Sequence, residues 1–169
     1  MERVALRLST IDKTEAANKD FSAFDKIVDL LKTAKVEYEL YEHEPVFTSA
    51  EAARIRGTSI HQGAKALVLE TDDDFILYVL PADLQADLET LKKHLGVHKI
   101  SMASKASVKE KTGLEAGAVP PIGSLIGLKT YIDIRLSENE EIAFNAGRHD
   151  RSIRMKYSDF IKVEKPEVI

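Results

Sequence analysis

Gly63-Ala64-Lys65-Ala66-Leu67-Val68-Leu69-Glu70, then Thr71-Asp72-Asp73-Asp74, then Phe75-Ile76-Leu77-Tyr78-Val79-Leu80 is the stretch that decides the fold. Two apolar runs of strand length flank an acidic turn, so residues 63–70 and 75–80 read as paired strands. The second run is apolar throughout. A strand of that kind is covered on both faces, which places it inside a sheet rather than at a wet edge.

Working outward, helical and extended patterns mix. Upstream, apolar residues at 21, 24, 27, 28, 31 and 34 have helical spacing over Phe21–Lys35. Val36–Tyr41 sets Val, Tyr and Leu against Glu, Glu and Tyr, which predicts a strand with one buried face. Thr48-Ser49-Ala50-Glu51 is a capping box, opening a short helix that stops at Gly57. Downstream, Asp87–Leu95 reads as a helix ended by Gly96, His98–Met102 as a short strand, and Ser104 as the cap of a helix ending at Gly113. Tyr131–Leu136 and Glu141–Asn145 read as strands. Tyr157–Val163 reads as a closing helix with Ser158 as candidate cap. This order predicts one α/β domain, mixed α+β in detail, over residues 21–169. Residues 1–20 lack a clear period and read as an N-terminal extension.

Bulk properties narrow the chemistry. The chain has 169 residues, enough for one domain with a real core. It holds no cysteine, which excludes disulfides, thiolate nucleophiles and Cys-ligated metals. No apolar run is long enough to span a bilayer, and the N-terminus lacks a signal-peptide core, so the expected location is the cytoplasm with no membrane partner. The net charge is -4, which argues against a large nonspecific nucleic-acid surface and leaves room for a small basic patch.

Three places stand out as candidate sites. Lys65 lies near the start of an otherwise apolar strand, so its ammonium either faces solvent or is held at a pocket mouth as a point charge for a phosphate or carboxylate. The loop Gly117-Ala118-Val119-Pro120-Pro121-Ile122-Gly123 is either a rigid connection or a close-approach loop whose free N–H groups hold a carbonyl or oxyanion. Phe144-Asn145-Ala146-Gly147-Arg148-His149-Asp150 is either a solvated polar turn or a site in which His149 orients water; Arg148, Arg151 and Arg154 are candidate phosphate contacts. A zinc pair at His94 and His98 is disfavoured because Gly96 breaks the helix between them, and no Gly-x-Ser-x-Gly elbow is present.

Taken in order, these pieces resemble the YbaK/ProX family, the editing domain of bacterial-type prolyl-tRNA synthetase and its free-standing relatives. The resemblance spans roughly residues 21–163. It is carried by Tyr41-Glu42-His43-Glu44, by Gly63-Ala64-Lys65-Ala66-Leu67 (Ala66 standing where Thr or Ser is common), by Leu80-Pro81-Ala82-Asp83, by the Gly117–Gly123 loop, and by Asn145-Ala146-Gly147. It implies a mixed sheet curled into a partial barrel with helices around it. It implies hydrolysis of the ester joining a mischarged amino acid to the tRNA 3′ end, Cys or Ala on tRNA(Pro) being the expected species. No cofactor or metal is implied. The resemblance assigns Lys65 and Gly117 to the catalytic site, and Tyr41, Phe47, Pro120, Asn145, Gly147 and His149 to the substrate site. The implied partners are the aminoacyl-tRNA acceptor end and a prolyl-tRNA synthetase. With no synthetase body in 169 residues, action in trans is expected. The alternative is a non-catalytic module that binds a nucleotide or the acceptor end.

Overall fold

The two apolar runs form an antiparallel pair, β2 (Ala64–Thr71) and β3 (Phe75–Pro81), with Ala64 opposite Pro81 and Glu70 opposite Phe75. The turn between them closes on itself: the amide and hydroxyl of Thr71 both donate to the Asp74 carbonyl at 2.8 Å. In this computed structural model, which describes residues 22–169, β3 is buried along nearly its whole length. Its side chains divide with the strand's period of two. Leu77 and Val79 enter a large core with Leu31, Ile132, Phe144 and Phe160, while Ile76, Tyr78 and Leu80 enter a second cluster with Leu91 and Tyr131. Each such aliphatic burial is worth about 1.5–3 kcal/mol. The expected extension over residues 1–20 lies outside the described residues.

Around this pair, β4 (Ile100–Met102) runs antiparallel to the far end of β2. β5 (Lys129–Ile132) runs parallel to β3, and β8 (Glu167–Val168) runs parallel to β5, giving the order β4-β2-β3-β5-β8. A second, antiparallel sheet has the order β1 (Tyr38–Glu42), β7 (Arg151–Lys156), β6 (Glu141–Asn145). The mixed α/β class is as expected. The partial barrel takes the form of two sheets, not closed, that meet among the described residues at a parallel bridge between Gly63 and Ala143. There the Ala143 amide donates to the Gln62 carbonyl at 2.9 Å. Glycine suits position 63 because a Cβ would lie 2.9 Å from the Ala82 Cβ and 3.0 Å from the Ile60 carbonyl oxygen.

Helices α1 (Ala23–Thr33), α2 (Ser49–Arg56), α3 (Leu88–Leu95), α4 (Lys105–Thr112) and α5 (Tyr157–Glu164) surround the sheets. The caps at Thr48 and Ser104 and the left-handed stops at Gly57, Gly96 and Gly113 fall where the sequence puts them, and Asp87, read as the first helical residue, is the N-cap of α3. Three details differ. Lys156, not Ser158, is the N-cap of α5, and its side chain makes no capping bond. The strand expected over 131–136 ends at Ile132, because Asp133 turns the chain into a 3-10 helix over Ile134–Glu138 by accepting from the Arg135 amide at 2.9 Å. Finally, β7 escaped the sequence reading: its arginines and Lys156 hide the period, yet Ser152, Ile153 and Met155 are buried. No helix among the described residues is long and apolar enough to cross a membrane.

Candidate active site

One cavity of about 230 Å³ opens where the two sheets meet, and five of the eight expected site residues line it: Phe47, Lys65, Gly117, Asn145 and His149. Its apolar wall comes from Val46, Ala52, Ala53, Ile60 and Val119, and Arg56 adds a charged surface. Drug-sized ligands occupy cavities of about 300–1,000 Å³, so this one suits a small group held at the end of a larger molecule.

The start of α2 builds the mouth. Thr48 Oγ1 accepts from the Glu51 amide at 3.1 Å, and the Glu51 carboxylate accepts from the Phe47 amide at 3.2 Å. The reciprocal arm of this capping box thus reaches one residue further back than the standard pattern, and it fixes the Phe47 backbone. The Phe47 side chain is 73% exposed and lies against the His149 ring, centroids 4.7 Å apart. His149 is held in turn by two contacts with Val46. Its carbonyl accepts from the Val46 amide at 3.0 Å, and its Nδ1 lies 3.2 Å from the Val46 carbonyl. A carbonyl only accepts, so Nδ1 carries the hydrogen and Nε2 of the neutral ring is left as an acceptor.

Lys65 is the second residue of β2 and half-buried, the pocket-mouth alternative rather than the fully solvated one. Its ammonium donates to the Leu84 carbonyl at 2.6 Å. Burial lowers its pKa and the nearby Asp83 carboxylate opposes that shift. Across the cavity, Gly117 adopts φ 86°, a backbone state that favours glycine. Among the described residues, the amides of Gly117 and Val119 donate to no acceptor, while the Ala118 amide is used by the Glu115 carbonyl. Two unpaired amides on one rigid loop are what an oxyanion requires. The loop is rigid because Pro120, Pro121 and Ile122 are buried and the Gly123 amide donates to Thr130 Oγ1 at 3.0 Å.

The remaining expected residues lie elsewhere. Tyr41 is buried outside the lining, its hydroxyl donating to Glu39 and the Arg154 guanidinium over its ring. Pro120 is buried within the loop and does not line the cavity. Gly147, at φ 81°, passes close to the start of α1, where a Cβ would lie 3.0 Å from the Ala23 Cβ. The arginines read as phosphate contacts face carboxylates: Arg148 meets Asp150 at 2.8 Å, Arg151 meets Glu42 at 3.2 Å, and Arg154 meets Glu39 at 2.8 Å and Glu141 at 3.2 Å.

Sequence reasoning missed Arg56. In the last turn of α2 it looks like a cation placed for the helix dipole. In the fold it is 5% exposed, and burial pulls its pKa down to about 10, which leaves it charged at neutral pH. Its Nε donates to Ser152 Oγ at 2.9 Å and its Nη2 to Asn145 Oδ1 at 2.8 Å. Among the described residues it has no carboxylate partner. No local signal marks this role, since its partners are 89 and 96 residues away in sequence.

Comparison with known proteins gives the family. The family model for the aminoacyl-tRNA editing domain matches residues 43–163, which include every residue of the cavity lining. The Multifunctional Ser/Thr-tRNA deacylase ProXp-y of Escherichia coli (strain K12) is 38% identical over 149 residues, covering 85% of this chain and 89% of that protein. The Prolyl-tRNA editing protein ProX of Acetoanaerobium sticklandii is 27% identical over 152 residues, covering 86% and 93%. A solved structure described as a candidate trans-editing enzyme for prolyl tRNA synthetase superposes with a TM-score of 0.76 at 22% identity over 87% of this chain and 94% of that one, a likeness of fold. With the family model matching well over half the chain and a 38%-identical relative spanning 85% of it, this chain belongs to the aminoacyl-tRNA editing domain family, the YbaK/ProX family whose motifs its sequence carries.

Proposed function

We propose that this protein is an aminoacyl-tRNA deacylase that acts in trans in the cytoplasm, hydrolysing the ester of a tRNA mischarged with a small hydroxylated amino acid, serine or threonine. The observation that carries the reading is the cavity itself. It has room for an aminoacyl group, a cation at one wall, two unpaired amides at another, and an exposed aromatic at the mouth. Lys65 holds a phosphate of the terminal nucleotide, as a compact charge does. Phe47 and His149 offer a stacking face for the terminal base. The amides of Gly117 and Val119 receive the negative charge that develops on the carbonyl oxygen when water attacks. Water is the nucleophile: the chain has no cysteine, Ser49 in the cavity lining has no histidine bonded to it among the described residues, and Ser152 is fully buried with its hydroxyl oxygen engaged by Arg56 and His43. The His149 Nε2 acceptor orients that water or takes its proton.

Serine and threonine are favoured over alanine and cysteine by the polar part of the wall, where Thr48 and Ser49 carry hydroxyl protons that no acceptor among the described residues takes. A site built to hydrogen-bond a hydroxyl rejects the analogue lacking it far better than an apolar wall rejects a missing methylene. The name of the 38%-identical relative points the same way. Cys or Ala on tRNA(Pro), with a prolyl-tRNA synthetase as partner, is the second reading, supported by the relative named for prolyl-tRNA editing. Deacylation of tRNA charged with Ser, Thr, Ala, Cys or Pro, by wild type and Lys65→Ala, separates the two. The expected outcome is hydrolysis of the Ser and Thr esters with the Pro ester untouched, and a loss of about 10²–10³-fold in Lys65→Ala, typical of removing one electrostatic contact to the reacting group. Selective loss of the Cys or Ala ester from tRNA(Pro) would favour the second reading. Binding of the acceptor end without release of any amino acid would favour a non-catalytic module.

A further inference from the structure

A single-file chain of hydrogen bonds runs beneath the cavity from β1 to the Gly117 loop. His43 Nδ1 lies 2.7 Å from the Glu44 carbonyl, so it carries the hydrogen, and Nε2 accepts from the Ser152 hydroxyl at 2.7 Å. Ser152 Oγ accepts from Arg56 Nε at 2.9 Å, Arg56 Nη2 donates to Asn145 Oδ1 at 2.8 Å, and Asn145 Nδ2 donates to the Gly117 carbonyl at 2.7 Å. The bonds run outward from Arg56 in both directions, through Ser152 and His43 to the Glu44 carbonyl and through Asn145 to the Gly117 carbonyl. The chain also fixes the Asn145 amide orientation, since a guanidinium only donates and a carbonyl only accepts. Its middle is a buried cation that the described residues leave without a carboxylate, an arrangement with a desolvation cost. A neutral donor would serve packing alone at lower cost. What the guanidinium adds is a planar fork that holds two oxygens at a set angle.

Resting on the editing reading, we propose that Arg56 is a positioning residue of this active site: through Asn145 it fixes the Gly117 carbonyl, and with it the unpaired amides of Gly117 and Val119, in the orientation that receives the oxyanion. Arg56 itself need not touch the reacting atoms. A loop amide displaced by an ångström forfeits most of its effect on the transition state while leaving binding of the tRNA end largely intact.

The test pairs Arg56→Met, which removes the fork, with Asn145→Asp, which keeps and strengthens the bond to Arg56 but cannot donate to Gly117. Hydrogen exchange followed by mass spectrometry reads the loop directly. Amides of residues 114–119 should exchange faster in both variants, with α3 unchanged. Single-turnover deacylation of Ser-tRNA should slow by about 10²-fold in each, with little change in the half-saturating enzyme concentration. The double variant should be no slower than the slower single, as for two cuts in one chain. Loop exchange equal to wild type in Asn145→Asp, or losses that multiply in the double variant, would overturn the proposal. If Arg56→Met does not fold, Arg56→Lys takes its place, since one ammonium cannot hold both oxygens at the guanidinium's spacing. A wild type inactive on every charged tRNA would sink the editing reading alone, and the exchange data would still decide the coupling.

Discussion

His61 shows how much a single residue's role depends on the fold. In the sequence it is a loop histidine with no evident partner, but in the structure its Nδ1 lies 2.9 Å from Asp83 and its Nε2 3.1 Å from Glu138. The hydrogen bond to Asp83 is the main cause of a raised His61 pKa. A group protonated more readily in the folded than in the unfolded state stabilises the fold below its unfolded pKa, about 6.5, and loses that contribution as pH rises through the raised folded value. Thermal melts of wild type and His61→Gln should therefore differ most near pH 6 and converge as pH rises above neutrality. A gap that widens with pH would contradict this pairing. That Lys65, Gly117, Asn145 and His149 belong with the cavity was legible in the sequence because each sits in a short motif, whereas Phe47 entered only with the family resemblance. Arg56 was not legible, because its meaning comes from Ser152 and Asn145, which only the tertiary fold brings to it.

Elements read well where one local rule dominated. The β2–β3 hairpin, α1, three further helices with their expected caps or stops, and β6 follow from period and capping alone. β7 did not, because its core-facing Ser152, Ile153 and Met155 alternate imperfectly among cations that pair across the sheet with Glu39, Glu42 and Glu141. The Gly117–Gly123 loop carries the element-scale predictions. A Cβ at Gly123 would collide with the Leu128 carbonyl and the Thr130 hydroxyl, Leu128 being tied by its amide to the Gly123 carbonyl and Thr130 by its hydroxyl to Glu164. Gly123→Ala should destabilise the protein by about 1–3 kcal/mol, the range for overpacking, and should slow deacylation more than melting alone explains, because the strain falls on the loop that bears the amides. Thr48→Ala removes the cap of α2 and should cost about 1 kcal/mol while loosening Phe47 at the mouth; chemical denaturation checks both magnitudes.

At the scale of the molecule, two sheets meet at Gly63 and leave the cavity at their junction, where β2 supplies Lys65, α2 the mouth, β6 Asn145 and the loop after α4 the unpaired amides of Gly117 and Val119. Strand order was beyond the sequence, since the parallel neighbours β3 and β5 are separated by nearly fifty residues and nothing local links them. The net charge of -4 sets a further expectation. A protein that touches only the acceptor tip neutralises one or two phosphates, and each single-stranded phosphate contributes a slope of about -0.7 to the dependence of log affinity on log salt. Titration of tRNA at several salt concentrations should give a slope shallower than about -2; a steep slope would mean a broad basic footprint instead. The central claim, that water bound in this cavity cleaves the aminoacyl ester, is tested most directly by single-turnover reaction of Ser-tRNA in ¹⁸O-labelled water. The account predicts serine released with one labelled carboxyl oxygen and a tRNA that can be charged again, at a rate that falls steeply in Lys65→Ala. No release of serine, or label found in the tRNA rather than the amino acid, would contradict it.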